Sequence, residues 1–244
     1  MPTYHALHLG LNNIDPTHYP KVPALRAAVN DAHDWARMAK DVFGYRHQET
    51  LTDAQATSEA LLKRLDALAD ELQAGDALLL TYSGHGGQIE DTLSKTPGDE
   101  DKDETWCLYD RQVLDDELYT AFSRFKAGVR ISVIADCCHS GTSIRELIEG
   151  QSAAATAQQR LQIAMEADLE NAGFLPRRLS REQSARTFAE SFTQYRAILG
   201  KKSKQRPEVA ASVQLFAACQ DDQITYDGKS NGIFTDAFKT IVDS

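Results

Sequence analysis

Two short, almost unbroken apolar runs stand out along the chain, Asp76–Ser83 (DALLLTYS) and Val129–Asp136 (VRISVIAD). Runs of this length and continuity predict strands buried on both faces of a parallel sheet. Tyr4–Leu11 and Val209–Ala218 predict further strands, and His47–Thr52 a shorter one. Leu25, Ala28, Val29, Ala32, Trp35 and Met38 recur at helical spacing and predict a helix from about Ala24 to Phe43, stopped at Gly44. Thr57–Leu72 is a second amphipathic helix ended by Gly75, and Asp115–Phe125 and Gly232–Val242 predict two more. After the first apolar run come a glycine-rich turn at Gly84–Gly87, a long acidic loop and a short strand at Trp106–Tyr109. From about Thr142 to Pro207 the pattern is polar and helical, with little sign of strand. Strands alternating with helices predict an α/β fold with a mostly parallel sheet covered on both faces. The expected organisation is one domain over 1–244, with a helical, basic insertion at about 150–208.

Length and composition agree with that picture. At 244 residues and 42% hydrophobic, the chain can bury one substantial core. No stretch approaches a membrane span, and Met1–Gly10 lacks the pattern of a signal peptide. Four cysteines (107, 137, 138 and 219) make no disulfide framework, and adjacent Cys137 and Cys138 are poorly placed to pair. A reducing, cytoplasmic setting is expected.

The formal net charge of −10 argues against nucleic acid or an acidic membrane as partner. Its distribution is uneven. Glu90–Glu117 holds eleven acidic residues against three basic, whereas Ala172–Pro207 holds nine Lys or Arg against two Glu.

Chemistry concentrates at two predicted strand ends, Thr81-Tyr82-Ser83-Gly84-His85-Gly86-Gly87 and Ala135-Asp136-Cys137-Cys138-His139-Ser140-Gly141. Open α/β sheets place their binding crevices beyond the carboxyl ends of strands. A thiol is a strong nucleophile only as thiolate, and a nearby imidazole commonly generates one. On neighbouring strands, His85 and Cys138 would face each other, and the backbone N–H groups of Cys138 and Gly86 could hold an oxyanion. Cys137 reads as structural, and His139 as a weaker candidate for the base. A metal site on Cys137, Cys138 and His139 lacks a second ligand cluster at zinc-like spacing.

His85 precedes Cys138 by 53 residues, the order and approximate spacing of the caspases, although the local caspase cysteine signature is absent. The two motifs closely resemble those of the metacaspases and their bacterial relatives, over Tyr4 to about Arg145 and again over Val209–Phe238. That resemblance implies a caspase-like three-layer α/β/α sandwich and a cysteine endopeptidase with Cys138 as nucleophile and His85 as base. It also implies a primary pocket for Arg or Lys. Asp136 precedes the nucleophile by two residues, and Asp31, in Ala28-Val29-Asn30-Asp31, matches the family's second pocket acid. Two carboxylates suit the fork of a guanidinium. Ser83, at the same strand end as His85, joins them as a substrate-binding candidate.

No cofactor is required by this chemistry, but many metacaspases bind calcium. Here Gly98-Asp99-Glu100 and Asp115-Asp116-Glu117 match the calcium-binding stretches, giving Asp99, Asp115 and Asp116 as candidate ligands. Arg145 stands where a further acid would sit, against the six to eight oxygens that calcium takes. The basic insertion, with Arg177-Arg178, Lys201-Lys202, Lys204 and Arg206, offers processing sites at Arg178 and Lys202, cut by the chain itself or by an upstream activating protease. The expected partners are protein substrates with exposed Arg or Lys, in a regulated processing protease of a bacterial stress or defence cascade. A catalytically silent interaction module of the same fold is the alternative, and the presence of both reactive residues weighs against it. A thiol-dependent ligase on a similar crevice is a second.

Overall fold

The structure is a computed structural model and describes residues 1–90, 102–138, 168–199, 207–218 and 225–243. Its centre is a five-stranded parallel sheet of β1 (Tyr4–Gly10), β2 (His47–Thr52), β3 (Ala77–Ser83), β7 (Arg130–Asp136) and β9 (Ser212–Ala217), in the order β2-β1-β3-β7-β9. A second, antiparallel sheet is made of β4 (Gly86–Glu90), β5 (Lys102–Cys107) and β6 (Gln112–Leu114). Two residues of β8 (Leu175–Pro176) pair antiparallel with β10 (Tyr226–Asp227).

Alternation along the central strands divides the apolar side chains between two faces. Leu78, Leu80 and Tyr82 of β3, with Ile131, Val133 and Ala135 of β7, pack against Leu61, Leu65 and Leu68 of α2 (Ser58–Glu71) and Leu118 and Phe122 of α3 (Asp115–Ser123). Leu79 and Ile134 face the other way, toward Trp35 and Met38 of α1 (Ala28–Asp41) and Phe234 and Phe238 of the last helix, Ile233–Val242. Helices on both faces of a parallel sheet make the three-layer α/β/α sandwich that the pattern predicts. Eleven of the fourteen α2 positions are Ala, Leu, Lys, Arg or Glu, all strong helix formers, and the Thr57 side chain caps the helix by accepting the Ala60 N–H at 3.1 Å.

The pattern misses two things. The glycine-rich stretch is only partly a turn, because Gly86 and Gly87 open β4; Gly87 pairs with Thr105 there, and an added Cβ would press on the Thr105 hydroxyl. In the polar 142–207 stretch, the described part holds α4 (Arg181–Glu190) and α5 (Phe192–Leu199), preceded by non-helical residues 175–179, with β8 at Leu175–Pro176, a bend at Arg177 and a bridge at Arg178. Helix α4 packs on β4, and the buried Tyr195 of α5 joins Ile89 and Leu114 in a small cluster, its hydroxyl accepting the Gln112 N–H at 2.9 Å. The final helix, Ile233–Val242, is α6.

Candidate active site

Register positions the two reactive residues. In the parallel β3–β7 pair, Ser83 lies opposite Asp136, the last residue of each strand. His85 and Cys138 each follow their strand end by two residues, so both emerge at the same edge of the sheet. Both are buried.

The loop that carries His85 is held from below. The Tyr82 hydroxyl lies 2.7 Å from the His85 carbonyl and 3.0 Å from that of Cys107, and its ring stacks on Trp106 at 4.5 Å between centroids. The Cys107 N–H donates to the same His85 carbonyl at 3.0 Å. On the imidazole, Nε2 lies 2.9 Å from the Pro23 carbonyl. A carbonyl only accepts, so Nε2 carries the proton and Nδ1 keeps its lone pair. Nδ1 is buried without a hydrogen-bond partner among the described residues. Burial pushes the His85 pKa down from 6.5 to about 4, against a smaller opposing effect of the Pro23 bond, so the ring is neutral near pH 7. A neutral imidazole with a free lone pair can accept a thiol proton.

Cys138 lies where backbone amides converge. Its N–H and that of Gly86 both donate to one carbonyl oxygen, that of Arg177, at 3.2 and 3.0 Å. The Cys138 sulfur accepts the Thr225 N–H at 3.1 Å. Gly86 is essential to this packing, because a Cβ there would run into the Cys138 carbonyl.

The Arg177 side chain fills a fully enclosed pocket of three carboxylates. Nη2 lies 2.6 Å from Asp31 Oδ2 and 3.0 Å from Asp227 Oδ1, and Nη1 lies 3.0 Å from Asp136 Oδ2. Nη1 also donates to the Asp136 carbonyl at 3.2 Å. Burial alone would lower the Arg177 pKa, but Asp136, Asp31 and Asp227 raise it well above its usual value, so the guanidinium stays charged. Burial, together with the Asp136 charge, holds Asp31 above the ordinary carboxylate range despite Arg177. Each acid has further donors. Asp31 Oδ1 accepts Asn231 Nδ2 at 2.9 Å and the Gly232 N–H at 3.0 Å. Asp136 accepts the hydroxyls of Thr235 at 2.8 Å and Thr225 at 3.1 Å. Asp227 accepts the N–H groups of Arg26 at 2.7 Å and Ala27 at 3.1 Å, just ahead of α1. Buried carboxylates are tolerable only with such donors in place.

Of the expected site residues, His85, Cys138, Gly86, Asp31 and Asp136 come together here. Asp31 is completely buried rather than lying on a helix surface. Ser83 is buried at the same strand end but is not among the described partners of the Arg177 guanidinium. Arg178, expected as a processing position, is exposed and directly follows the arginine in the pocket. Lys202, Asp99, His139 and Arg145 lie outside the described residues. Asp115 and Asp116 sit in the first turn of α3, next to Glu117, whose carboxylate is committed to Arg111 at 2.8 and 2.9 Å. Among the described residues no three His, Cys, Asp or Glu converge as a metal site, and Asp99, the third calcium candidate, lies outside them. No described helix is long and apolar enough to cross a membrane.

Sequence reasoning missed Asp227, Thr225, Gly232 and Arg177 itself. The one local hint was Pro176, which breaks a helical reading just ahead of Arg177.

A three-layer parallel sheet presenting a histidine and a cysteine at adjacent strand ends has the caspase-like architecture of a cysteine peptidase. Residues 5–146, more than half of the chain, match the metacaspase, peptidase C14 domain, and the chain belongs to that family. It is 30% identical over 154 residues to Metacaspase-1 of Pyricularia oryzae, covering 57% of this chain and 37% of that protein. It is 31% identical over 153 residues to Metacaspase-8 of Arabidopsis thaliana, covering 59% and 39%. The chain thus spans well under half the length of these curated relatives. A crystal structure of a Geobacter sulfurreducens protein matches with a TM-score of 0.79 and 35% identity, over 99% of this chain and 82% of that one.

Proposed function

We propose that this cysteine peptidase is an endopeptidase that cuts after arginine, and that residues 175–179 occupy its site as the chain's own substrate. One observation carries the reading: Arg177 has its guanidinium among three carboxylates while its carbonyl oxygen receives the N–H groups of Gly86 and Cys138. A side chain bound for stability alone has no need of its carbonyl in a two-donor cradle. A scissile carbonyl does.

In the mechanism, the Cys138 thiol gives its proton to His85 Nδ1 and the thiolate attacks the carbonyl carbon of the arginine. The negative charge that develops on oxygen is held by the Gly86 and Cys138 N–H groups. His85 then protonates the leaving amine, which departs as the new N-terminus. Water, deprotonated by His85, hydrolyses the thioester. The Pro23 carbonyl keeps the ring oriented and stabilises the imidazolium while it exists. Arginine is preferred to lysine because two guanidinium nitrogens reach separate acids, which one ammonium cannot do with the same fork.

The bond that this arrangement would cut in the chain itself is Arg177–Arg178, one residue upstream of the position expected from the dibasic pair. Until it is cut or displaced, residues 175–179 compete with other substrates. Such self-occupancy suits a regulated processing protease, of the kind that acts in bacterial stress or defence cascades, and an upstream protease cutting the basic insertion could relieve it.

The test is cleavage of peptides with Arg, Lys or Asp before the scissile bond, by wild type and Cys138→Ala, with calcium and with EDTA, alongside intact mass of the protein. The expected result is cleavage after Arg above Lys, none after Asp, a self-cleavage fragment ending at Arg177, and loss of all of these in Cys138→Ala. Cleavage after Asp, or activity surviving Cys138→Ala, would overturn the reading.

A further inference from the structure

We infer a second specificity subsite on the leaving-group side: an apolar pocket formed by Ile14, Tyr19, Val22 and Cys107 that takes an apolar side chain two residues beyond the cleaved bond. This deepens the proposed function and rests on it.

The argument starts from the course of residues 175–179. Before the scissile bond, Leu175 and Pro176 pair antiparallel with β10, and the Arg177 N–H donates to the Thr225 carbonyl at 3.0 Å. After it, Arg178 bridges to Gly86 in parallel register, and the Leu179 N–H donates to the Gly86 carbonyl at 2.7 Å. Gly86 therefore grips both sides of the bond, its N–H on the Arg177 carbonyl and its carbonyl on the Leu179 amide. Across this grip the side chains alternate in burial. Arg177 is buried, Arg178 exposed and Leu179 buried again, 3% exposed.

Leu179 enters a site separate from the carboxylate pocket. It packs with the buried Tyr19 and Cys107 and the partly buried Ile14 and Val22. These come from the loop after β1 and from the end of β5, and the same loop supplies Pro23, the partner of His85. The pocket is thus built on the scaffold that orients the base. Its walls are apolar apart from the Tyr19 hydroxyl, which is buried and has no hydrogen-bond partner among the described residues. A charged side chain there would lose hydration with nothing described to pair it, whereas leucine gains from burial. The exposed Arg178 places no such demand, so the recognised sequence is Arg, then any residue, then an apolar residue.

The experiment uses internally quenched peptides Leu-Pro-Arg-Arg-X-Ser with X as Leu, Gly or Asp, and a Leu-Pro-Arg aminocoumarin that ends at the scissile bond. They are given to the full chain and to full-chain Arg177→Ala, in which the chain's own arginine no longer competes. The expected result is a kcat/KM for X = Leu at least about tenfold above Gly and higher still above Asp, within the range that filling one apolar pocket gives. Val22→Lys should erase the preference for Leu over Asp. Equal rates for the three peptides, with the coumarin cleaved, would overturn the subsite and leave the arginine reading standing. If neither coumarin nor peptides are cut by either protein, with Arg177→Ala shown folded by its melting curve, the arginine reading falls and the subsite with it.

Discussion

Asp227 Oδ1 lies 3.0 Å from the Arg177 guanidinium and 3.1 Å from the Ala27 amide, so one oxygen serves both the pocket and the start of α1. Its other oxygen accepts the Arg26 N–H at 2.7 Å. The third acid of the pocket is therefore also the clamp that joins β10 to the helix carrying Asp31.

Asp227→Asn should accordingly affect two properties at once. Losing one pocket charge weakens arginine binding, with kcat/KM for an arginine peptide falling roughly 10- to 100-fold. The amides ahead of α1 lose a charged acceptor, and thermal unfolding should move down. Steady-state kinetics and a melting curve on the same preparation check both effects.

Arg177→Ala leaves three buried carboxylates without their cation. Breaking a buried ion pair from one side costs about 3–5 kcal/mol, and a loss of that size is expected near pH 7.5. The pH dependence has a definite sign. Asp31 already titrates above its ordinary range, and without Arg177 its folded-state pKa rises further, so the variant folds with proton uptake. Its deficit relative to wild type should therefore shrink as pH falls from 7.5 to 5. Urea denaturation of both proteins at the two pH values tests this, and an unchanged deficit would count against the pocket's charge state.

Acid should destabilise the wild-type fold through its buried imidazoles. Burial lowers both His85 and His8 from 6.5 to about 4. A folded-state pKa below the unfolded value means that the unfolded chain binds the proton first. The stability these groups preserve is whole above pH 6.5, falls as pH drops from 6.5 toward 4, and levels off below. At 1.36 kcal/mol per unit the span amounts to roughly 3 kcal/mol for each ring, with the rise in Asp31 acting in the opposite direction. His8→Gln removes one ring, whose Nδ1 lies 2.9 Å from the Thr81 hydroxyl, and should flatten the urea midpoint against pH over that window.

Gly232→Ala should close the pocket sterically. A Cβ at Gly232 would lie 2.5 Å from Arg177 Nη1 and 2.6 Å from Asp136 Oδ2, well inside van der Waals contact. Arginine cleavage is expected to fall by about 100-fold or more, and lysine cleavage by less because the ammonium lacks the fork's width. Equal losses for the two substrates would show that the added methyl disturbs Asp136 rather than the guanidinium.

The central sheet was legible because each of its buried strands is a compact apolar run and each covering helix keeps its spacing. β3 begins at Ala77 and β7 at Arg130, one residue inside the predicted bounds. His85 and Cys138 were legible for a related reason, as reactive side chains placed just past those runs. What remained hidden depends on partners far apart in the chain. Asp227 has no local signature, since its significance comes from Arg26, Ala27 and Arg177, at least fifty residues away along the chain. Residues 175–179 looked helical because their surroundings are rich in Ala, Gln, Glu and Arg. They are not helical because Thr225 and Gly86 supply backbone partners that no window of sequence contains. The predicted turn at Gly84–Gly87 held only in part for a similar reason, since Gly86 and Gly87 acquire strand character from β5.

Gly86 offers one donor and one acceptor to chain on either side of the Arg177–Arg178 bond, while Thr225 takes the amide of Arg177 itself. Satisfying all of them requires about five consecutive residues whose backbone groups are free of helix and of other strands. An arginine within a stable helix or the middle of a folded sheet cannot supply that length without first unfolding locally, at a free-energy cost set by its own protein. The enzyme would then read the looseness of its targets as well as their sequence. Among many arginines in a folded protein, those in loops and tails long enough to be drawn into the site would be cut first.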